Sequence, residues 1–275
     1  MNEHPRTTQE YEEDAVRNRL WSHAVGLING KRVPTAYKGG KWLAEVPGSA
    51  SAIKWGAHHA VLTAGHLVAD SSASDLRLYT RPSSRPELAK CERSGFVPSQ
   101  FGGQIVLCGW EDLALITLPA NAGINLDFHD AYASWLDPEP GQKLSSFGFP
   151  IDAAKLAKVE KLGSLPHETK ELFQKIWPTI VIPVPSNFCT AYTDPSPYDA
   201  DRHYLANWRP AENLKPYGFS GAAMWSIHFP ATPISKIDLL FAGVATHFYS
   251  SYEAERIIKA SVVRKFLQET FGAPV

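Results

Sequence analysis

The sequence predicts an all-β protein. Short apolar segments separated by Gly, Pro and Asn recur from residue 21 to residue 118, and a second series runs from residue 141 to about residue 250. Neither series alternates with helices as βαβ units do, so the pattern favours a barrel or a sandwich. The chain has 275 residues, of which 44% are hydrophobic, which suits one large domain or two small domains with a real core.

The chain divides into predicted segments, the first of which is residues 1–20. This segment is polar and acidic, and Thr7 with Glu10 suits the capping box of a short helix, while a frayed tail fits equally well. Residues 21–118 carry the first set of strands. Residues 119–140 contain several Gly, Asn and Pro residues typical of turns, which predicts a linker.

Residues 141–250 carry the second set of strands. Residues 151–177 interrupt this set and are rich in Lys, Glu, Ala and Leu, which predicts one or two short helices inserted in a loop. Residues 251–275 predict a C-terminal helix, because apolar residues recur there near the 3.6-residue period. The predicted strands are 24–28, 49–55, 60–63, 76–79, 113–116, 143–150, 179–182, 203–205, 222–227 and 239–246.

Charge and hydropathy argue against two classes of partner. The net charge is −1 and the Lys and Arg residues are scattered, so the sequence has no basic patch for nucleic acid or an anionic membrane. No apolar stretch approaches the length of a membrane span. We therefore expect neither nucleic acid nor a membrane as a partner.

The cysteines and the N-terminus favour a reducing, cytoplasmic location. Cys91, Cys108 and Cys189 are odd in number and far apart, and Cys108 lies in an apolar run that suits a buried thiol. The N-terminus lacks the basic start and apolar centre of a secretory signal. Secretion after removal of a leader outside this sequence stays open.

Three residues form a candidate catalytic constellation. His66 follows one predicted strand and Asp112 precedes another, while Ser220 lies in a tight loop flanked by Gly218 and Gly221. A serine hydroxyl is a poor nucleophile until a base takes its proton, and an imidazole base needs a carboxylate that fixes its tautomer. The chain order His, Asp, Ser matches one of the known orders of such triads.

Each of these signals has an ordinary explanation when it stands alone. Most of the ten histidines must serve other roles, aspartate is a common turn former, and Gly-x-Ser-Gly also occurs in ordinary turns. The three signals in this order favour catalysis more than any one of them does. The amides of Gly218 and Ser220 are then the candidate oxyanion hole.

With these motifs the sequence resembles the trypsin-like (chymotrypsin-fold) serine peptidases, and it looks closest to their intracellular bacterial members. The resemblance covers residues 22–268 in layout, but specific matching is confined to short motifs, among which 145–150 and 240–246 are the weaker ones. The family's Thr-Ala-Ala-His, Asp-Ile-Ala-Leu and Gly-Asp-Ser-Gly-Gly-Pro correspond here to Thr63-Ala64-Gly65-His66, Asp112-Leu113-Ala114-Leu115 and Gly218-Phe219-Ser220-Gly221-Ala222-Ala223.

The resemblance implies a fold and an activity. The fold is two six-stranded antiparallel β-barrels packed face to face, with a C-terminal helix and a short helical insertion. The activity is that of a serine endopeptidase, which cleaves protein or peptide substrates through an acyl-enzyme and uses no cofactor or metal. His66 is then general base and acid, and Ser220 is the nucleophile. Asp112 orients the histidine, supported by the Thr246 hydroxyl.

The residue before the nucleophile departs from the family. The digestive enzymes have Asp there, which pairs with a newly cut N-terminus and so builds the oxyanion hole, whereas this chain has Phe219. An apolar ring cannot bind an ammonium group, so the site forms on folding or through another trigger, such as an activating protein partner. No family disulfide matches the three cysteines.

The specificity pocket is the part that the sequence determines least. Leu214 stands six residues before Ser220, where the family often has the pocket floor, and an apolar floor argues against Arg or Lys in the substrate. His247 and Phe248 follow Thr246 and are candidate pocket walls. His247 suits recognition of an acidic or amide side chain, but an ordinary strand-face histidine fits it better.

Other sites and functions compete with this interpretation. Gly218, Ser220 and Ala222 loosely match a hydrolase nucleophile elbow, but that fold needs its acid and histidine after the serine. His58 and His59 would point to opposite faces of a strand, which is poor geometry for one metal. The functional alternatives are a catalytically inactive binding or scaffold protein with the same fold, and a protease that stays latent until a partner acts.

Overall fold

The computed structural model describes most of the predicted strands and the C-terminal helix. The described residues are 48–79, 96–120, 126–139, 144–148, 199–207, 218–228, 238–249 and 254–274, with residues 16, 19, 20, 22–29, 37, 38, 41, 42, 122, 124 and 142. The predicted helical insertion 151–177, the predicted strand 179–182, residues 1–15 and Leu214 lie outside the described residues.

Fourteen strands and a C-terminal helix are assigned within the described residues. They are β1 Ala24–Asn29, β2 Tyr37–Lys38, β3 Lys41–Trp42, β4 Gly48–Trp55, β5 His58–Ala64, β6 Leu76–Tyr79, β7 Ile105–Leu107, β8 Leu113–Leu118, β9 His129–Asp130, β10 Ser145–Ser146, β11 His203–Asn207, β12 Ala223–His228, β13 Asp238–Tyr249, β14 Ala254–Lys259 and α1 Ala260–Phe271.

These strands form two large sheets. The first has seven strands, in the order β6-β1-β4-β5-β8-β7 with β9 beside β4, and the second has five, in the order β10-β12-β13-β14-β11. β2 and β3 form a separate pair. Pairing is antiparallel except between β4 and β9. The all-β prediction is confirmed, although the described strands divide into seven and five instead of six and six.

Three apolar clusters form the core. The first-sheet cluster includes Val61, the second-sheet cluster includes Ile257, and the inter-sheet cluster joins the two sheets and α1 through Leu62, Ile258 and their neighbours. Successive strand residues point to opposite faces, so Val61 and Leu62 bury different sides of β5. Burial on both faces explains why these strands are continuous apolar runs instead of alternating patterns.

The C-terminal helix is shorter than the predicted segment 251–275. Ala254–Lys259 is the strand β14, which pairs with β11 and β13, and α1 begins only at Ala260. Ala, Glu and Arg favour helix locally, but pairing on both edges and burial on both faces outweigh that small propensity. The buried residues of α1 are Ala260, Val262, Val263, Phe266 and Leu267.

The segments beside the first sheet also contribute to the fold. Residues 16, 19, 20, 22 and 23 are helical, and Val16 and Leu20 are buried in the inter-sheet cluster. The predicted linker 119–140 contains β9, which adds a short parallel strand to β4. Within the described residues, no helix combines the length and the hydrophobicity that crossing a bilayer requires.

Candidate active site

His66 and Asp112 are held together at the ends of two paired strands. β5 and β8 pair so that Ala64 lies opposite Leu113, and the 3-10 turn Gly65–Leu67 carries His66 past the end of β5. Asp112 Oδ1 accepts a hydrogen bond from the His66 amide at 2.8 Å, and Oδ2 lies 2.8 Å from His66 Nδ1. A carboxylate only accepts, so Nδ1 carries the proton and Nε2 is left as the base.

The surroundings of Asp112 keep its carboxyl ionised. Burial raises the pKa of Asp112, but the hydrogen bonds and charge of His66, with the charge of Arg256, outweigh burial and hold that pKa below its ordinary value. Arg256 Nη2 lies 3.9 Å from Asp112 Oδ2. Close packing also explains Gly65, because a Cβ there would lie 3.2 Å from Asp112 Oδ1 and from the backbone of the next strand.

Ser220 lies on a loop that docks on the first sheet. Gly218 and Gly221 have φ angles of 95° and 90°, which strain other residues. A Cβ on Gly221 would lie 1.9 Å from the Ser49 carbonyl oxygen and 2.3 Å from Thr63 Oγ1, so only glycine fits. The Ser49 amide donates to Ser220 O at 2.9 Å, and its hydroxyl donates to Gly218 O at 2.6 Å. Because Thr63 belongs to β5, the loop lies beside the strand that carries the histidine.

Burial of Phe219 anchors the same loop from the other side. Its ring is 0% exposed and belongs to the second-sheet cluster. The Phe219 carbonyl accepts a hydrogen bond from the Ala222 amide at 2.7 Å. Since the N–H and C=O of a trans peptide point in opposite directions, the Ser220 amide is turned away from Ala222. Neither the Gly218 amide nor the Ser220 amide donates to another described residue, so both remain available to a bound oxyanion.

The Ser220 hydroxyl contacts Thr246 instead of the histidine. Ser220 Oγ donates to Thr246 O at 3.3 Å, and within the described part of the chain it makes no hydrogen bond to His66. The Thr246 hydroxyl accepts from Arg256 Nε at 3.2 Å and donates to Arg256 O at 3.4 Å. Within the described residues, the Thr246 hydroxyl is linked to Asp112 through Arg256. Support of Asp112 by Thr246 stays a prediction from the resemblance.

The predicted pocket residues are described in part. Leu214 lies outside the described residues. His247 is exposed and packs edge-on against Tyr249, with ring centroids 4.8 Å apart, and Phe248 is half-buried against the second-sheet cluster. Both follow Thr246 directly on β13, next to the contact with the Ser220 hydroxyl, so they remain candidate walls.

Three residues that sequence reasoning missed complete the site. Arg256 falls in the segment predicted as helix, so its approach to Asp112 follows only from the pairing of β13 with β14. Ser49 docks the Ser220 loop, and Ser51 beside it accepts a hydrogen bond from the Ala223 amide at 3.1 Å. Serines at alternate positions of an otherwise apolar buried strand are the signal from which Ser49 and Ser51 could have been predicted.

The competing sites do not form within the described residues. These residues contain no group of three His, Cys, Asp or Glu side chains placed to hold one metal ion. His58 stacks on Phe271 and His59 stacks on Phe128, with ring centroids 4.7 and 4.3 Å apart. The two histidines thus point in different directions, as the alternation of a strand predicts.

Comparison with known proteins identifies the fold. No protein-family model matches the chain, and no curated protein matches it. The Rv3671c protease from M. tuberculosis, in its active form, aligns with a TM-score of 0.53 and 15% identity over 100% of this chain and 96% of that chain. A serine endoprotease from Yersinia pestis aligns with a TM-score of 0.45 and 13% identity, over 97% of this chain and 67% of that chain. The tobacco etch virus protease has a TM-score of 0.44 and 12% identity, over 98% of this chain and 83% of that chain. The likeness to the M. tuberculosis protease confirms the chymotrypsin-like two-barrel fold.

Proposed function

We propose that this protein is a serine endopeptidase that hydrolyses peptide bonds through Ser220, His66 and Asp112. The observation that carries the proposal is that the Asp112 carboxylate accepts hydrogen bonds from both the amide and the ring of His66. The loop that carries the Ser220 hydroxyl docks beside this pair. An imidazole held in this way has one defined tautomer. Its side chain is 44% exposed, so a substrate can reach it.

The proposed reaction uses only groups of this chain and water. His66 Nε2 takes the Ser220 hydroxyl proton while the oxygen attacks the peptide carbonyl carbon, and the negative charge passes to the carbonyl oxygen. The Gly218 and Ser220 amides stabilise this oxyanion. His66 then protonates the leaving amine as the C–N bond breaks, which leaves an acyl-enzyme. Water then gives a proton to the same nitrogen and attacks the ester carbonyl carbon. His66 returns this proton to Ser220 Oγ as the ester C–O bond breaks, which releases the carboxylic product and restores Ser220.

The Ser220 loop, in this proposal, reaches its working shape when the chain folds. The buried ring of Phe219 holds the loop on the second sheet, and Ser49 holds it on the first. These contacts take the place of the ion pair that an Asp at position 219 would make with a new N-terminus. Activation by a partner protein is the alternative, and the purified protein distinguishes the two.

The substrates are proteins or peptides in this proposal, because the described groups suit attack on an amide carbonyl. Membership of the trypsin-like, intracellular bacterial subgroup stays a prediction from the sequence motifs. A reducing, cytoplasmic compartment also stays a prediction.

The Cys108 thiol is free and half-buried, and burial raises its pKa, so it is a poor nucleophile.

A fluorophosphonate probe tests the proposed function directly. The probe phosphonylates an activated serine, so we expect it to label the wild-type protein and to fail with Ser220→Ala and His66→Ala. Ser99→Ala, which removes an exposed serine of the 3-10 helix Pro98–Phe101, is the matched control and should label normally. Mass spectrometry should place the adduct on Ser220. Undiminished labelling of Ser220→Ala would rule out this nucleophile.

A second labelling experiment separates an active enzyme from a latent one. If the loop is formed on folding, purified protein and protein in lysate should react at the same rate. Faster labelling in lysate would favour activation by a partner. A folded protein that never reacts in either sample would favour the binding or scaffold alternative.

A further inference from the structure

Arg256 is a buried cation directly beside the proposed catalytic acid. Its side chain is 8% exposed, and Nη2 lies 3.9 Å from Asp112 Oδ2, the oxygen that also faces His66 Nδ1. Removing a guanidinium from water is costly unless anionic or polar groups compensate for its lost hydration. A carboxylate at this distance compensates the charge, so the cation and the acid stabilise one another.

A β-bulge orients this guanidinium. The register of β13 against β14 skips Thr246, which is therefore an extra residue in its strand. The Thr246 hydroxyl accepts a hydrogen bond from Arg256 Nε at 3.2 Å, and its carbonyl accepts one from Ser220 Oγ at 3.3 Å. One bulged residue thus contacts both the proposed nucleophile and the cation at the acid.

Other charged groups lie close to this acid, but they engage its neighbour. His203 Nε2 lies 3.1 Å and Arg202 Nη1 4.0 Å from Glu111 Oε2, while Arg256 also acts on the Glu111 charge. Within the described residues, Arg256 is the only Lys or Arg at ion-pair distance from Asp112. The charged groups that surround Asp112 and Glu111 are His66, Arg202, His203 and Arg256.

We propose that Arg256 is a positioning residue for the His66–Asp112 pair. Arg256 keeps the acid ionised and oriented, and it limits how strongly the acid stabilises the imidazolium. This inference rests on the proposed function. An uncompensated carboxylate beside an imidazole favours the protonated ring, which cannot act as a base. The nearby positive charge opposes that effect, so the base is available at lower pH than it would be without Arg256.

The pH profile of probe labelling tests this role. In Arg256→Met, the acid-side midpoint of the labelling rate should rise by about half a pH unit to one unit, because the cation that opposes the imidazolium is gone. Arg256→Lys keeps the charge and should restore most of the wild-type midpoint. Lys259→Met removes a cation from the same strand, where it binds Ala200 O, and should leave the midpoint unchanged.

These variants separate positioning from mere structural support. A purely structural loss would lower the amount of active protein at every pH and leave the midpoint in place. An unchanged midpoint in folded Arg256→Met would overturn the proposal. If Arg256→Met does not fold, Thr246→Val serves instead, because it keeps the charge and removes the hydroxyl that orients it. That variant should shift the midpoint in the same direction by less, and no shift would overturn the proposal.

A spectroscopic measurement keeps this inference apart from the proposed function. In Ser220→Ala protein, which cannot react, proton NMR should detect the strongly deshielded proton between His66 Nδ1 and Asp112. The signal should persist with Arg256→Lys and be lost or shifted with Arg256→Met. If wild type is inactive and this pattern still holds, the positioning role stands while the proposed activity fails. An unaltered signal in Arg256→Met would reject the role even in an active enzyme.

Discussion

His66 and His23 each lie beside an aspartate, and of these two pairs only His66–Asp112 has the geometry of a proton-transfer site. Asp112 directs both carboxylate oxygens at His66, one to the amide and one to the ring. His23 Nδ1 donates to the backbone carbonyl of Asp127 at 2.6 Å. The Asp127 Oδ2 atom accepts from Arg19 at 2.8 Å and from Ser22 Oγ at 2.9 Å, and it lies 3.9 Å from His23 Nε2. The first pair can stabilise a transferred proton, and the second only orients a neutral ring.

Solvent access separates the two histidines further. The His66 side chain is 44% exposed, whereas that of His23 is 1% exposed and packs against His129 and Trp225. Burial lowers the pKa of His23 to about 4, although Asp127 acts in the opposite direction. His23 is therefore neutral at physiological pH, and among the described residues its Nε2 has no hydrogen-bond partner.

The comparison shows that a histidine near an aspartate is not by itself a catalytic pair. The carboxylate oxygens must face the ring, and the opposite ring nitrogen must be reachable by a substrate. His66 gains both conditions because its turn lies at the end of β5, outside the clusters that bury both faces of the strand. His23 precedes β1 and is enclosed by the inter-sheet cluster.

Matched substitutions of the two aspartates should give the largest difference. Asp112→Asn should reduce the fluorophosphonate labelling rate by about ten-thousandfold, because an amide can hold the ring in the wrong tautomer and cannot stabilise its charge. Asp127→Asn should label at nearly the wild-type rate, since its carboxylate does not serve the site. Comparable losses in both variants would contradict the distinction drawn between the pairs.

The sequence predicts His66 and Asp112 as a candidate pair because each of them adjoins a strand. His66 and Asp112 each lie within three residues of an apolar run, in motifs that local patterns can reveal. The same reasoning predicts Ser220 as the candidate nucleophile, from the glycines that its loop requires. The short apolar segments predict the all-β class. The structure explains why these segments are apolar throughout, because both faces of the strands are buried.

Features that depend on strand register could not be predicted. Arg256 reaches Asp112 because β14 pairs with β13 around a bulge at Thr246, and nothing within residues 251–275 reveals that pairing. The local preference of Ala254, Glu255 and Arg256 for helix pointed the other way. The contact of His23 with Asp127 likewise joins residues 104 positions apart, and no motif marks either one.

Replacement of the buried histidine should alter the pH dependence of stability. The pKa of His23 falls from 6.5 to about 4 on folding, so the unfolded chain binds the proton first as pH falls. The stability that neutral His23 contributes is fully present above pH 6.5. This contribution falls by about 3 kcal/mol as the pH declines towards 4. His23→Phe should remove that share of the decline in the free energy of unfolding, measured by denaturant titration across this range.

An exposed histidine provides the control for this measurement. His58 stacks on Phe271 at the surface, so His58→Phe should keep the wild-type decline between pH 6.5 and pH 4. The decline in His23→Phe should not vanish, because burial also lowers the pKa of His129. His23→Phe should lose about 1 kcal/mol at neutral pH with the hydrogen bond to Asp127 O. Equal pH dependence in wild type and His23→Phe would contradict the assignment.

Removal of Arg19, which binds the Asp127 carboxylate, should make the His23–Asp127 pair more similar to the His66–Asp112 pair. We expect this effect to be the smallest of those predicted. Arg19→Met removes a charge that adds to the effect of burial in lowering the pKa of His23, so that pKa should rise towards its ordinary value. It also removes one of the two groups that bind the Asp127 carboxylate, the other being Ser22 Oγ. Acid should then destabilise the protein less, by about 0.5 kcal/mol, since this exposed ion pair is screened by water. Denaturant titrations at two pH values measure the change, and Lys265→Met, in another exposed ion pair, is the control. If acid destabilises Arg19→Met more than it destabilises the wild type, this expectation is wrong. The orientation of Asp127, and not its ion pair with Arg19, would then explain why the two pairs differ.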